Sequence, residues 1–177
     1  MADPLDMFRP RERQVARSIL DRLLDDAPYS SADPMSGYVD QVRDMRECIR
    51  RDLEALLNSR KPIRTPPAKL VELQNSLLGY GIDGAVSANL ITDEAKLMLA
   101  RSIERRIRRF ETRLDNIQVT ILKSRTVTER ALRLRIEATF RLHDGMPPIS
   151  FESTIDPATQ RFRVDGGRSA EYGVAHG

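Results

Sequence analysis

Leu132-Arg133-Leu134-Arg135-Ile136-Glu137-Ala138-Thr139-Phe140-Arg141-Leu142 alternates apolar and polar side chains without a break. Successive side chains of a strand point to opposite faces, so this period of two describes a strand with one buried face and one wet face. Upstream, Ile117, Val119 and Ile121 show the same period. Downstream, Ile149, Phe151 and Ile155 continue it, Asp156-Pro157-Ala158-Thr159 carries a turn signature, and Phe162 and Val164 end a fourth strand. Gly166-Gly167 opens a polar segment, 166–177, that is expected to be a flexible tail.

Before these strands the period is helical. Val15, Ile19, Leu20, Leu23 and Leu24 predict a helix over about Glu12 to Asp26, closed by Pro28. A turn-rich stretch, Tyr29 to Gly37, follows as a loop. Val42, Met45, Ile49, Leu53 and Leu56 form one stripe of a helix over Tyr38 to Asn58, stopped by Asn58-Ser59-Arg60-Lys61-Pro62. Pro62, Pro66 and Pro67 impose an extended crossing, with a short helical turn at Leu70 to Leu73 and a glycine-punctuated turn at Gly79 to Gly84. Thr92 is the expected N-cap of the next helix, with Asp93 and Glu94 in its first turn. Leu99, Ile103, Ile107 and Phe110 share one face, and the helix is expected to end near Glu111. Helices first and strands second give an α+β fold, with N-terminal helices on one face of a C-terminal antiparallel sheet. The expected divisions are 1–37, an N-terminal helix and linker; 38–165, the α+β core; and 166–177, the tail.

Composition narrows the function. The 177 residues suit one domain. The net charge of +3 balances 29 basic against 26 acidic residues and gives no overall reason to expect a nucleic-acid binder. Four tyrosines, five phenylalanines and no tryptophan leave few platforms for stacking bases or sugars. The opening Met1-Ala2-Asp3-Pro4-Leu5-Asp6 lacks a signal-peptide pattern and no run approaches a membrane span, so a cytoplasmic protein without direct membrane insertion is expected.

Chemistry-bearing patterns are few. His143, His176 and Cys48 have no metal-ligand spacing, and Cys48 reads as a small buried residue beside the apolar stripe. Gly79 to Gly84 lacks the Lys-Ser/Thr ending of a phosphate-binding loop. No acid pair stands out for glycoside hydrolysis. No catalytic residue, metal or cofactor is expected. Arg101 to Arg113 holds six arginines against two glutamates, a local charge of +4. Such a segment can bind phosphate, dock on an acidic protein through arginine forks, or be a solvated face with internal pairs such as Glu104–Arg108. The short, charged Arg161-Phe162-Arg163-Val164-Asp165 reads as an edge strand open to strand addition by a partner.

Several segments also resemble one family. Arg51-Asp52-Leu53-Glu54-Ala55-Leu56-Leu57-Asn58-Ser59-Arg60 is similar to a signature of TssE-type baseplate subunits of type VI secretion systems. Ser76-Leu77-Leu78-Gly79-Tyr80-Gly81-Ile82-Asp83 resembles the family's Ser-Leu-x-x-Tyr-Gly-x-x-Asp turn, with Asp83 one place early. Ile107-Arg108-Arg109-Phe110-Glu111-Thr112-Arg113-Leu114 resembles its Phe-Glu-Pro-Arg-Leu motif, with Thr112 in place of proline. Leu20 to Asp26 and Phe151 to Val164 match its two ends, so the resemblance runs over about Ser18 to Val164.

The resemblance implies a non-catalytic subunit related to a phage baseplate wedge component once labelled lysozyme-like. Its implied partners are TssF and TssG, nearby TssK, and the TssB–TssC sheath whose assembly it helps start, on the cytoplasmic side of the inner membrane. Glu111 and Arg113 are the implied wedge contacts, with Phe110, Arg109, Arg161 and Arg163 as further partner-binding candidates. Threonine, being β-branched, is expected to keep Thr112 extended. Two other readings stand beside this one. The old family label suggests a peptidoglycan hydrolase, and the arginines of 101–113 suggest a nucleic-acid adaptor.

Overall fold

A computed structural model describes residues 23, 29, 38–62, 66–67, 69–84, 90, 92–123, 131–141, 148–156 and 158–166. Among them are three α-helices, α1 (Tyr38–Asn58), α2 (Val71–Asn75) and α3 (Asp93–Phe110), and a 3-10 turn at Leu77–Gly79. Four strands follow: β1 (Leu114–Leu122), β2 (Leu132–Phe140), β3 (Ile149–Ile155) and β4 (Phe162–Gly166). The fold is α+β, as expected. Most of the helix expected over 12–26, the loop over 29–37, Leu142 and the tail beyond Gly166 lie outside the described residues. Of the first helix only Leu23 is described; it is helical and exposed.

The chain divides into two compact units, residues 1–49 and 50–177, with the boundary inside α1. In the first unit Met45 and Ile49 are buried, Val42 is half-buried, and Cys48 is half-buried rather than buried.

The second unit is built on the antiparallel sheet β1-β2-β3-β4. Register explains its one-sided core. Ile136 lies opposite Phe151, Ala138 opposite Ile149, Leu134 opposite Ser153 and Ser153 opposite Val164, and all of these are buried. The residues between them form a wet face, where Arg133 and Arg135 both reach Glu152, at 2.7 and 3.2 Å. Burial alone would raise the Glu152 pKa, but hydrogen bonds and charge from Arg135 and Arg133 outweigh it and hold the carboxyl below its ordinary value. Leu53, Leu56, Leu57, Leu99, Ile103 and Ile107 add the helical share of the core. Thr92 caps α3 by accepting the Ala95 N–H at 3.1 Å, as expected, and Asp93 and Glu94 occupy its first turn.

Three features depart from the pattern. In β1, Leu114 and Ile117 are buried whereas Val119 and Ile121 are only half-buried. A bulge between Asp115 and Gln118, with Asn116 at φ +51°, shifts the alternation; asparagine tolerates that left-handed backbone. Ser153 holds a fully buried place, with no partner for its hydroxyl among the described residues. The helical turn expected at Leu70–Leu73 is α2, Val71–Asn75, and it buries no residue.

The reading of Arg161–Asp165 as an open edge also needs correction. β4 is the last strand of the sheet, but side chains of α1 occupy its outer edge. Asn58 donates from Nδ2 to the Phe162 carbonyl at 2.8 Å and accepts the Phe162 N–H at 3.0 Å. Arg50 donates to the Val164 carbonyl at 2.9 Å. An amide side chain thus mimics a neighbouring strand and blunts the edge. Asn58→Ala should lower unfolding free energy by about 1–2 kcal/mol in urea titrations, since both backbone groups of Phe162 lose a partner. An unchanged midpoint would show that water replaces the amide without cost.

Candidate functional site: the helix-to-sheet corner

Helix α3 ends at Phe110, and Glu111 takes the C-cap position at φ −106°, ψ 84°. Its N–H still reaches the Ile107 carbonyl at 2.8 Å, while its own carbonyl accepts the Leu114 N–H at 3.3 Å. Glu111 to Leu114 is therefore a tight turn leading directly into β1. Thr112 is exposed at its second position, so the expectation of an extended Thr112 is replaced by a turn residue. The second position of such a turn is where proline is favoured. Threonine here takes a bend that proline would also suit.

The turn brings together two side chains that a continuous helix would separate, because positions two apart on a helix do not face each other. Arg113 Nε donates to Glu111 Oε1 at 2.6 Å and Nη2 donates to Glu111 Oε2, a two-pronged pair. Nη2 also donates to Asp52 Oδ2 at 2.5 Å, which ties α1 to the same corner. Glu111 Oε1 further accepts the Arg113 N–H at 3.2 Å. The side chains of Glu111 and Arg113 are only 8% and 18% exposed, against 38% for Asp52, so the corner opens to solvent on the Asp52 side. Arg113 Nη1 is buried without a partner among the described residues. Hydrogen bonding to Glu111, above all, holds the guanidinium protonated despite its burial, with Asp52 adding to the effect.

Tyr80 and Phe110 complete the corner. Their rings meet edge to face, 5.2 Å apart at 75°. Burial raises the Tyr80 pKa first, and the charges of Asp52 and Glu111 raise it further. Phe110, expected on the buried face of α3, is instead half-buried against Tyr80. Gly81 makes the preceding turn possible: it sits at φ +91°, and a Cβ there would come within 2.4 Å of the Ser59 carbonyl oxygen. The bonds Ile82 N–H to Ser59 O (2.8 Å) and Lys61 N–H to Ile82 O (3.0 Å) then fasten this loop beside the end of α1.

The six partner-binding candidates thus fall in three places. Phe110, Glu111 and Arg113 form the corner. Arg109 lies in a basic cluster with Lys61 and Arg106. Arg161 and Arg163 line a polar groove of about 720 Å³ along β4, with Glu54 and Asn58. Asp52, the third member of the ion cluster, was not singled out from sequence, since nothing local marks a partner 61 positions away. The pair Glu104–Arg108, expected as an internal helix pair, forms at 2.8 Å. Among the described residues, no group of three or more His, Cys, Asp or Glu is placed to hold a metal ion.

A largely buried cluster of paired charge that fastens helices to a sheet suits a structural module. Residues 43–144, more than half of the chain, match the family model described as baseplate wedge protein gp25. The chain belongs to that family. It is a baseplate structural protein that interacts with other baseplate components. The comparison with curated proteins gives no match.

Thr112→Pro should stabilise the protein by about 0.4–1 kcal/mol, read as a higher melting temperature. Glu111 is already outside the helical region that a following proline disfavours, and the exposed Thr112 sits where a turn accepts one. A lower melting temperature would show that this turn needs the threonine.

Proposed function

We propose that the chain is the TssE-type subunit of a type VI secretion baseplate. In this reading it binds the TssF–TssG wedge, lies near TssK, and helps initiate the TssB–TssC contractile sheath. Its place is the cytoplasmic face of the inner membrane, where it is held by the baseplate. No catalytic step is proposed, and the partners are proteins rather than nucleic acid. Among the described residues no helix is long and apolar enough to cross a membrane.

One observation carries the reading. The three internal segments that resemble the TssE family, separated along the chain, meet at one corner through Asp52, Tyr80 and the Glu111–Arg113 pair. A motif that folds into one rigid, partly open constellation suits recognition better than three unrelated packing details would. Because Glu111 and Arg113 satisfy each other, their role is to preset the corner's shape and charge; Asp52 and Tyr80 present its accessible side. For sheath initiation, strand addition is directed to the Gln118–Leu122 part of β1, since Asn58 and Arg50 occupy β4, Arg108 reaches β1 only at the Ile117 carbonyl (3.4 Å), and no strand pairs with the outer side of β1 among the described residues.

The test is co-purification of the tagged full chain with co-expressed TssF and TssG, beside Arg113→Ala and the milder Glu111→Gln. Wild type should hold both partners. Arg113→Ala should lose them and also cost about 3 kcal/mol of stability, because Glu111 is left buried and unpaired. Glu111→Gln, which keeps the shape, should stay folded at the assay temperature and bind at least about tenfold more weakly. A folded Glu111→Gln that binds as wild type would make the corner purely structural.

A further inference from the structure

A second surface is built differently. From Leu70 to Leu78 the chain exposes five large apolar side chains: Leu70 at 45%, Val71 at 57%, Leu73 at 38%, Leu77 at 85% and Leu78 at 46%. A helix of five residues is not stable alone, and in folded proteins such segments are normally held by the apolar residues they bury. This one buries none. Its backbone is nevertheless fixed. Leu70 N–H bonds to the Pro67 carbonyl at 2.9 Å, Ser76 Oγ donates to the Leu73 carbonyl at 2.6 Å and accepts the Leu78 N–H at 3.3 Å, and Arg106 Nη1 donates to the Gly79 carbonyl at 2.6 Å. The leucines are thus presented on a pinned frame rather than left on a loose loop.

The pin itself belongs to a basic cluster. Arg106 shares α3 with Arg105 and Arg109, one and three positions away, and the loop bond from Lys61 N–H to Ile82 brings Lys61 to the same end. Burial, then Arg106 and Arg109, weaken proton binding at Lys61, while Asp83 opposes them. Arg106 likewise loses proton affinity through burial and through Arg109 and Arg105, with Asp83 again the opposing acid. Among the described groups that act on Lys61 and Arg106, cations outnumber the one carboxylate, Asp83, so this end of the leucine surface carries net positive charge. A nucleic acid would use the cations and leave the leucines wet. A lipid-free apolar ligand would do the reverse. A helix with a leucine-type face bordered by glutamates satisfies both features at once.

We propose that Leu70, Val71, Leu73, Leu77 and Leu78, flanked by Lys61, Arg105, Arg106 and Arg109, form a docking surface for an acidic amphipathic helix of a partner protein. It is separate from the Glu111–Arg113 corner and stands whether or not that corner binds TssF and TssG.

The test uses the full chain and a fluorescein-labelled amphipathic peptide of about 18 residues, long enough to form a helix. Leucines are placed on one face and glutamates elsewhere. Two control peptides replace every glutamate by lysine, or every leucine by serine. Fluorescence anisotropy should show saturable binding of the acidic peptide alone. Leu77→Ser/Leu78→Ser and Arg105→Glu/Arg109→Glu should each weaken it at least about tenfold. Thermal melts should match wild type, because Leu77, Leu78 and Arg105 are exposed and Arg109 is half-buried. Failure of the acidic peptide to bind, equal binding of either control, or indifference to both double variants would overturn the proposal. Concentration-dependent dimers in sedimentation that vanish with Leu77→Ser/Leu78→Ser would overturn it in favour of a second copy. Duplex DNA binding that depends on the arginines alone would overturn it in favour of nucleic acid.

Discussion

The Arg113 guanidinium, held by both oxygens of Glu111 and by Asp52, is the constraint on which the architecture of the second unit turns. Two carboxylates close together would repel, and an arginine buried alone would be costly. Each charge is tolerable only because the others are in place. The cluster therefore sets three things together: where α3 stops, how sharply the chain bends into β1, and where the C-terminal part of α1 lies against that bend. Hydrophobic burial supplies most of the stabilisation, as in any domain of this size, but it is not directional. The ion cluster provides direction at the corner, and the Asn58 amide does so at the far edge of the sheet.

From that corner, function follows by position. A baseplate structural protein has to present a defined surface to its neighbours, and a charge cluster that fixes where helix and sheet meet helps to define one. The two polar devices also divide the sheet's edges. Arg50 and Asn58 close β4 against strand addition, whereas β1 keeps its outer side without a strand among the described residues and meets Arg108 only at the Ile117 carbonyl. A chain that must join an assembly yet avoid random edge-to-edge association gains from one closed edge.

Much of this was legible in the sequence, for physical reasons that are specific to each element. The alternation over Leu132–Phe140 survives because a one-residue slip would exchange the buried and wet faces. Thr92 with Asp93 and Glu94 marks the start of α3 because the cap and the helix dipole act within one turn. The end of α3 near Glu111 follows from the need to bring residues 111 and 113 to one site. What stayed hidden depends on distance. Asn58 meets Phe162 across 104 positions and Asp52 meets Arg113 across 61, and no local pattern encodes either. The bulge at Asn116 was hidden for another reason: asparagine is compatible with a straight strand as well as with the left-handed kink it adopts. Nothing local marks the leucines of 70–78 as exposed, since apolar residues are usually buried, and only the structure shows them facing solvent.

The most direct measurement is a double-mutant cycle on Asp52 and Arg113, using Asp52→Asn, Arg113→Lys and the pair, with unfolding free energies from urea titration. If the cluster organises the corner, the two changes are non-additive, with a coupling of at least about 1 kcal/mol. Additivity within about 0.3 kcal/mol would mean that Asp52 and Arg113 act independently and that the cluster does not tie α1 to the corner.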